Sequence, residues 1–416
     1  MNDSQPCGRV GGPSAGRQSE LKNAHFHPMQ PQTPDLSRRA LVAQAFQQRF
    51  DSLPALWARA PGRVDLMGSH TDYNLGFVLT LPIGRDTWIA ARPRPDRQVR
   101  LHSMNLEADA TFSLDALERP AGRDWSNYVR AVAAVLQQEG LEPRGFEGVI
   151  HSTVPMSSGL SSSAALECAT ATLLEALGGW ALAPVKKALL CQRAENQFVG
   201  VNCGILDQYT SCVGQAGCAL LLDCRALSSR PVQLADGIQV VICDTKSKRE
   251  LAGSEYGQRR AQCEAGARQL GVNALREITV TEFGRREAEL PAEMAKRCRF
   301  IVEENERVLR LSAALPAGDR SAIGQACAES FRGAMTLYEI GAPAMAAMMQ
   351  AMLAAPGVVG ARQAGAGFGG CMVAFVERNL TDAFAGGVRQ DYYAATGVQP
   401  EIYPVAAAAG AGMLAK

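Results

Sequence analysis

At 416 residues, with 47% hydrophobic and 20% charged residues, the chain is long enough for two or three packed domains, because single cores stop growing well below this length. A formal net charge of +1 supplies no global field for nucleic acid or an anionic membrane, so any phosphate affinity has to be local. The twelve cysteines form no Cys-x-x-Cys pair and no cysteine–histidine cluster at zinc spacing, which leaves buried, reduced thiols in a cytoplasmic protein as the expectation.

Residues 1–36 are rich in Gly, Pro, Ser and Gln, fit neither a signal peptide nor an anchor, and read as a disordered leader. No stretch reaches the roughly 18 consecutive apolar residues of a spanning helix. From Ser37 to Phe50 the apolar residues recur at helical period, and WARAPGRVDLMG then alternates as a strand does. TDYNLGFVLTLPI and DTWIAARPRP read as two β runs parted by Gly84-Arg85, and GFEGVIHSTVP as another ending at Pro155. Serines then precede a helical pattern from Ser161 to about Leu177, closed by Gly178-Gly179; a second helix starts near Pro184 and runs to Gly200. CALLLDCR and GIQVVICDTK are strand-like, and the turn residues of ALSSRPVQLADG between them suggest a domain boundary near Arg230, dividing 37–230 from 231–416. Two helices are expected beyond it, over SEYGQRRAQCEAGARQLG and 292–315, then a glycine-rich turn, GAGFGG, before the strand CMVAFVE.

Four segments have the residue types of a chemical site. VPMSSGLSSSAALECA joins a strand end, small residues and a helix start: backbone N–H groups over Ser157, Ser158, Gly159, Leu160, Ser161, Ser162 and Ser163 can approach phosphate oxygens, with the helix N-terminus adding partial positive charge. It has neither the lysine of a GxxxxGK[ST] loop nor a GxGxxG, and alone it is equally a capped helix after a flexible turn. APGRVDLMGSHTDYN crowds Arg63, His70 and Asp72 together; Arg63 suits phosphoryl oxygens and Asp72 vicinal hydroxyls, though taken alone a surface ion pair and a turn cap are the simpler readings. Glu195, and Asp207 among the apolar neighbours of CGILDQY, suit metal binding and handling of a hydroxyl proton, or are a helix-surface pair and a helix N-terminal acid. GARQAGAGFGG brings backbone close to something, either a ligand or a neighbouring domain.

Together, APGRVDLMGSHTDYN, VPMSSGLSSSAALECA, CGILDQYTS, SEYGQRRAQC and GARQAGAGFGGC, in this order and spacing, resemble the galactokinases among the GHMP small-molecule kinases, over about Leu53 to Tyr403. The resemblance implies an α+β, two-domain GHMP kinase fold: an N-terminal ribosomal-protein-S5-like domain with a left-handed β-α-β crossover, against the usual rule, and a C-terminal ferredoxin-like domain, with the active site between them. By the same resemblance Asp207 matches the catalytic base and Arg63 the residue that stabilises the transition state. Ser163 and Glu195 match the Mg²⁺ ligands and 157–163 the ATP phosphate loop. Ser69, His70, Asp72 and Tyr256 match sugar contacts, and Gly204 a backbone contact to the sugar. ATP and Mg²⁺ are the implied cofactors.

Two positions depart from that pattern. Ser157 stands for the first glycine of the phosphate loop, where a Cβ restricts φ without blocking the cradle. Ser69 stands for a glutamate that resembles an acceptor for the sugar's 6-hydroxyl, so a charge is expected to be missing there. That opens galactose-configured relatives, galacturonate and L-arabinose, beside galactose itself as substrates for anomeric phosphorylation. A non-catalytic sugar and ATP sensor and the mevalonate or homoserine kinases are the other readings. The expected partners are the sugar and ATP, with no nucleic acid and no membrane, in a monomer or weak homo-oligomer.

Overall fold

The computed structural model describes residues 36–120, 124–247 and 252–415, so the expected leader lies outside the described residues except for Leu36. Leu36 opens helix α1 (Leu36–Phe50), whose Val42 and Phe46, one turn apart, pack with Trp57, Trp88 and Val149. Strand β1 (Leu56–Met67) carries Pro61 and Gly62 at its centre and bulges there. The TDYN segment forms a single 3-10 turn, Asp72–Asn74, where a strand was expected. β2 (Phe77–Pro93) is one strand through Gly84-Arg85, where two were expected. It stays paired to β1 on one side while its other edge changes partner, which is why the sequence pattern breaks there although the strand does not.

Sequence reading passed over the hairpin β3 (Gln98–Ser103) and β4 (Ala108–Ser113) and the helix α2 (Asn127–Gln138). Next come β5 (Phe146–Ser152), α3 (Ser162–Gly178), α4 (Pro184–Ala194), which continues as a π-helical turn Glu195–Val199, and α5 (Leu206–Val213). β6 (Cys218–Asp223) pairs with β7 (Ser228–Gln233), a strand within the stretch expected to be turn; its Pro231 is tolerated because β7 is an edge. Arg230 lies inside β7, and the change of sheet comes between Gln233 and Ile238. The first sheet runs β12 (Gly412–Met413), β1, β2, β5, β3, β4, with β6 and β7 beside the first part of β2; β3 and β5 are parallel and the other pairs antiparallel.

The second sheet starts with β8 (Ile238–Asp244) and is followed by α6 (Ala252–Gln269), α7 (Val280–Arg286), α8 (Ala292–Ala317), α9 (Arg320–Thr336) and α10 (Pro343–Ala354). Then come β9 (Val358–Gln363), β10 (Cys371–Glu377), α11 (Thr381–Thr396) and β11 (Glu401–Val405). Its order, β11-β8-β10-β9, is wholly antiparallel and corresponds to 4-1-3-2 of a β-α-β-β-α-β unit, the ferredoxin-like arrangement. The short β12 (Gly412–Met413) returns to the first sheet and pairs Ala58 and Arg59 of β1.

α3 packs on β1 and β2, its alanines allowing close approach, and its N-terminus therefore opens beside the middle of β1. The cysteines among the described residues are all free. Among the described residues no helix is long and apolar enough to cross a membrane.

Candidate active site

A cleft of about 1250 Å³ is lined by Arg63, Asp65, Ser69, His70 and Asp72 from the first sheet and its loop, by 157–159 and 161–163, by Glu195, Gly204 and Asp207, and by Tyr256, Gly365 and Ala366 from beyond β8. The sequence-predicted residues thus converge, apart from Leu160, which is buried in the core beneath the loop.

Gly62 explains how the loop reaches β1. A Cβ there would stand 2.7 Å from the Leu160 carbonyl oxygen, the same oxygen that accepts the Arg63 N–H at 3.1 Å. Arg63, 6% exposed, spreads its guanidinium between two groups: Nε donates to Asp207 Oδ1 at 2.7 Å, Nη2 donates to the same oxygen, and Nη1 donates to the Gly159 carbonyl at 2.6 Å. The surface ion pair that the sequence also allowed for Arg63 is thereby set aside.

The loop itself departs from a serine-capped helix. Ser161, at the N-cap of α3, has φ +60° and its hydroxyl caps nothing, so the first N–H groups of α3 receive no serine side chain. Ser157 also holds φ +60°, a conformation that glycine adopts without the steric cost a Cβ brings. Ser158 anchors the loop, its hydroxyl donating to the Pro155 carbonyl and its carbonyl accepting from Cys371 N–H at the start of β10. The glycine-rich turn before β10 reaches the other end of the cleft as well, where the Ala366 carbonyl meets His70 Nε2 at 3.0 Å.

That contact makes Nε2 the protonated nitrogen, leaving Nδ1 to accept from the Tyr73 hydroxyl at 2.8 Å. Both ring nitrogens of His70 are therefore committed to the protein. His70 lines the cleft wall beside Tyr256, the ring centroids 5.1 Å apart and the planes tilted by 35°. Asp72 accepts from Tyr73 N–H at 2.9 Å, and burial followed by the neighbouring Asp207 raises its pKa to about 6. Gly204 packs so closely on Asp72 that a Cβ would overlap the carboxylate, which accounts for a glycine next to the base.

Ser163 and Glu195 both line this cleft. Burial, then Asp207, pushes Glu195 up to about 7, against hydrogen bonds from Cys203 and Gln208. Gln208 Nε2 donates at 2.6 Å to Glu195 and at 3.0 Å to Glu167, which is fully buried with Oε1 unpartnered. A hydroxyl and a carboxylate rich in buried negative charge form a hard-oxygen donor set that fits Mg²⁺, an ion that keeps waters and phosphate oxygens and needs only one or two protein ligands.

Family models match in two places: GHMP kinases N terminal domain over residues 127–215, and the galactokinase galactose-binding signature over 44–93. A galactokinase of Chloroflexus aggregans is 43% identical over 377 residues, 89% of this chain and 96% of that one, and a galactokinase of a Roseiflexus species is 42% identical over 376 residues with the same coverage. The chain belongs to the galactokinase family. The crystal structure of Lactococcus lactis galactokinase complexed with galactose superposes with a TM-score of 0.87 at 32% identity, covering 91% of this chain and 100% of that one. A mevalonate kinase structure, at 17% identity and a TM-score of 0.59, covers 85% of this chain and 99% of its own and shares the two-domain GHMP fold alone.

Within this galactokinase fold the position of Ser69 needs correcting. Ser69 is 2% exposed; its hydroxyl donates to Asp65 Oδ2 at 2.5 Å and accepts from Arg362 Nη2 at 2.9 Å. A carboxyl is therefore present one hydrogen bond from Ser69, on Asp65, whose pKa burial raises against the pull of Arg362. Arg362 of β9 also donates at 3.2 Å to Glu304 of α8, which accepts from Arg307 at 2.7 Å. Burial works to raise Glu304, but Arg307 and Arg362 hold it below the usual carboxylate range. Sequence reading missed Asp65, Glu167, Gln208 and this buried ion cluster. Two had a local signal, since Asp65 shares a strand face with Arg63 and Glu167 lies one helical turn after Ser163. Arg362 and Glu304 had none, because their partners come from distant segments.

Proposed function

We propose that the chain is an ATP-dependent galactose 1-kinase working by direct in-line transfer. The observation that carries the reading is the guanidinium of Arg63, held between the Asp207 carboxylate and the Gly159 carbonyl of the phosphate loop, so that the hydroxyl to be phosphorylated and the phosphoryl group to be transferred meet beside one fixed cation. The anomeric oxygen forms the new bond to the γ-phosphorus as the bond to the β–γ bridging oxygen breaks, ADP leaves, and the hydroxyl proton passes to Asp207. Backbone N–H groups over 157–163 hold the phosphates, and Arg63 offsets charge that develops during transfer. Mg²⁺, held by Ser163 and Glu195, would neutralise charge on the β- and γ-phosphates. Asp72, Tyr256 and the backbone at Gly204 line the sugar's side of the cleft.

A non-catalytic sensor would have no use for the Arg63–Asp207 contact. The test is ADP release by the purified chain with ATP and Mg²⁺, comparing galactose, galacturonate, L-arabinose and N-acetylgalactosamine. Galactose is expected to exceed each of the others at least about tenfold in kcat/KM, a difference that one well-placed hydrogen bond can produce. Sugar-dependent nucleotide binding without ADP release would overturn the kinase reading.

A further inference from the structure

Two donors from different segments converge on one oxygen of Glu195. Glu195 is 5% exposed and lines the cleft, and its Oε2 accepts from Gln208 Nε2 at 2.6 Å and from Cys203 Sγ at 3.3 Å. Cys203 Sγ also lies 3.2 Å from Asn196 Oδ1, but that oxygen already accepts the Cys203 N–H at 3.0 Å, and a carboxylate is the stronger acceptor. The single thiol proton therefore belongs to Glu195.

Each donor is itself held. Gln208 follows Asp207 on α5 and is fully buried, and the second proton of its amide goes to Glu167 Oε2 at 3.0 Å. The two carboxyl groups also fix which way the amide lies, because turning it over would set its oxygen against two acceptor oxygens. Asn196 shares a π-helical turn with Glu195 and clamps Cys203 a second time, its Nδ2 donating to the Cys203 carbonyl at 3.4 Å.

We infer that Gln208 and Cys203 are positioning residues for the cation that accompanies the nucleotide: they hold Glu195 by Oε2 and so present Oε1 to the divalent ion, with Glu167 as the brace that keeps Gln208 in place. The inference rests on the galactose 1-kinase reading, in which Ser163 and Glu195 hold Mg²⁺. A glutamate left to rotate freely loses that freedom only when the ion binds, at a cost to affinity, whereas one already held by Oε2 does not. Because Gln208 directly follows Asp207, the short helix α5 carries both the base and the support of the metal ligand.

The test titrates Mn²⁺ into the protein with ADP and reads bound metal by electron paramagnetic resonance, without turnover. ADP release by the wild type with ATP and galactose comes first; its absence overturns the kinase reading and this inference together. With turnover present, Gln208→Met, which keeps the length of the side chain and removes both donors, is expected to weaken Mn²⁺ binding about 10- to 100-fold, the usual loss when the partner of a metal ligand is removed. The Mg²⁺ concentration for half-maximal ADP release should rise in proportion, with the KM for galactose within about twofold. Glu167→Gln should cost less than Gln208→Met and nothing further in the double variant, because Glu167 acts through Gln208. Cys203→Ala changes one small side chain for another at a half-buried position, so it gives an answer even where Gln208→Met does not fold. It is expected to weaken Mn²⁺ about three- to tenfold, and Cys203→Ser, whose hydroxyl still donates to Oε2, to stay within about twofold of the wild type. Unchanged Mn²⁺ affinity in Gln208→Met or Cys203→Ala, equal loss in Cys203→Ala and Cys203→Ser, additive loss in the double variant, or a galactose KM that moves as far as the metal requirement overturns the inference and leaves the kinase reading intact.

Discussion

Arg63 Nε lies 2.7 Å from Asp207 Oδ1, across 144 residues of sequence, while Nη1 of the same guanidinium reaches the Gly159 carbonyl at 2.6 Å. One planar group thereby ties β1, the phosphate loop and the start of α5 together. Lysine offers a single point of charge and cannot make these contacts at once. Arg63→Lys should lower kcat by about 10²- to 10³-fold, the usual loss on removing a preorganised donor, with the ATP dissociation constant within about threefold. Single-turnover kinetics beside nucleotide titration distinguish the two effects, and a parallel loss of ATP affinity would show that Arg63 acts mainly in binding.

Asp207→Ala should cut turnover by at least about 10²-fold and leave ATP affinity nearly unchanged, since general-base catalysis typically contributes 10²–10⁴-fold. Turnover within about tenfold of wild type would remove Asp207 from the role of base.

Gly204 meets the Asp72 carboxylate through space that a methyl group would occupy. Gly204→Ala should displace Asp72 and raise the KM for galactose about tenfold or more, while the KM for ATP stays within about twofold. Steady-state kinetics with each substrate varied in turn report this, and equal changes in both constants would indicate a general distortion instead.

Glu195, with its pKa raised to about 7 by burial and by Asp207, binds a proton in the metal-free protein at pH values where the unfolded chain has lost it. Its contribution to stability is therefore fully present below the ordinary glutamate range, near 4.5, and is lost as pH rises through about 7. Mg²⁺ competes with that proton, so the rise in Tm caused by Mg²⁺ and ADP should be larger at pH 8 than at pH 6. Thermal melts with and without Mg²⁺ and ADP at the two pH values measure it, and Glu195→Gln should abolish the difference between them.

Glu304 and Arg362 are each 0% exposed and hydrogen-bonded at 3.2 Å, with Arg307 as a second cation on Glu304. Removing the carboxylate leaves two buried guanidinium groups short of an anion. Glu304→Gln should cost roughly 3–5 kcal/mol of stability, read from urea unfolding. A loss below about 1 kcal/mol would mean that water reaches the cluster and takes over the carboxylate's role.

Much of the site was legible in the sequence because its parts are local. The small residues before α3, the arginine at the bulge of β1, the Asp72 of the turn that follows β1 and the Asp207 that opens α5 each follow from short-range patterns of turn and strand. The strand breaks read at Gly84-Arg85 and in ALSSRPVQLADG rested on turn-forming residues alone; β2 continues and β7 forms because neighbouring strands supply the pairing. The meaning of Ser69 was beyond the sequence altogether. Read by itself it is a short neutral residue where a carboxylate was expected, yet packing sets it against Asp65 four residues earlier and against Arg362 nearly three hundred residues later. Residue type determined which groups were available for chemistry, and tertiary packing decided which of their atoms remained unpaired inside the cleft, because a buried polar atom takes its role from the partners that distant segments bring to it or leave away.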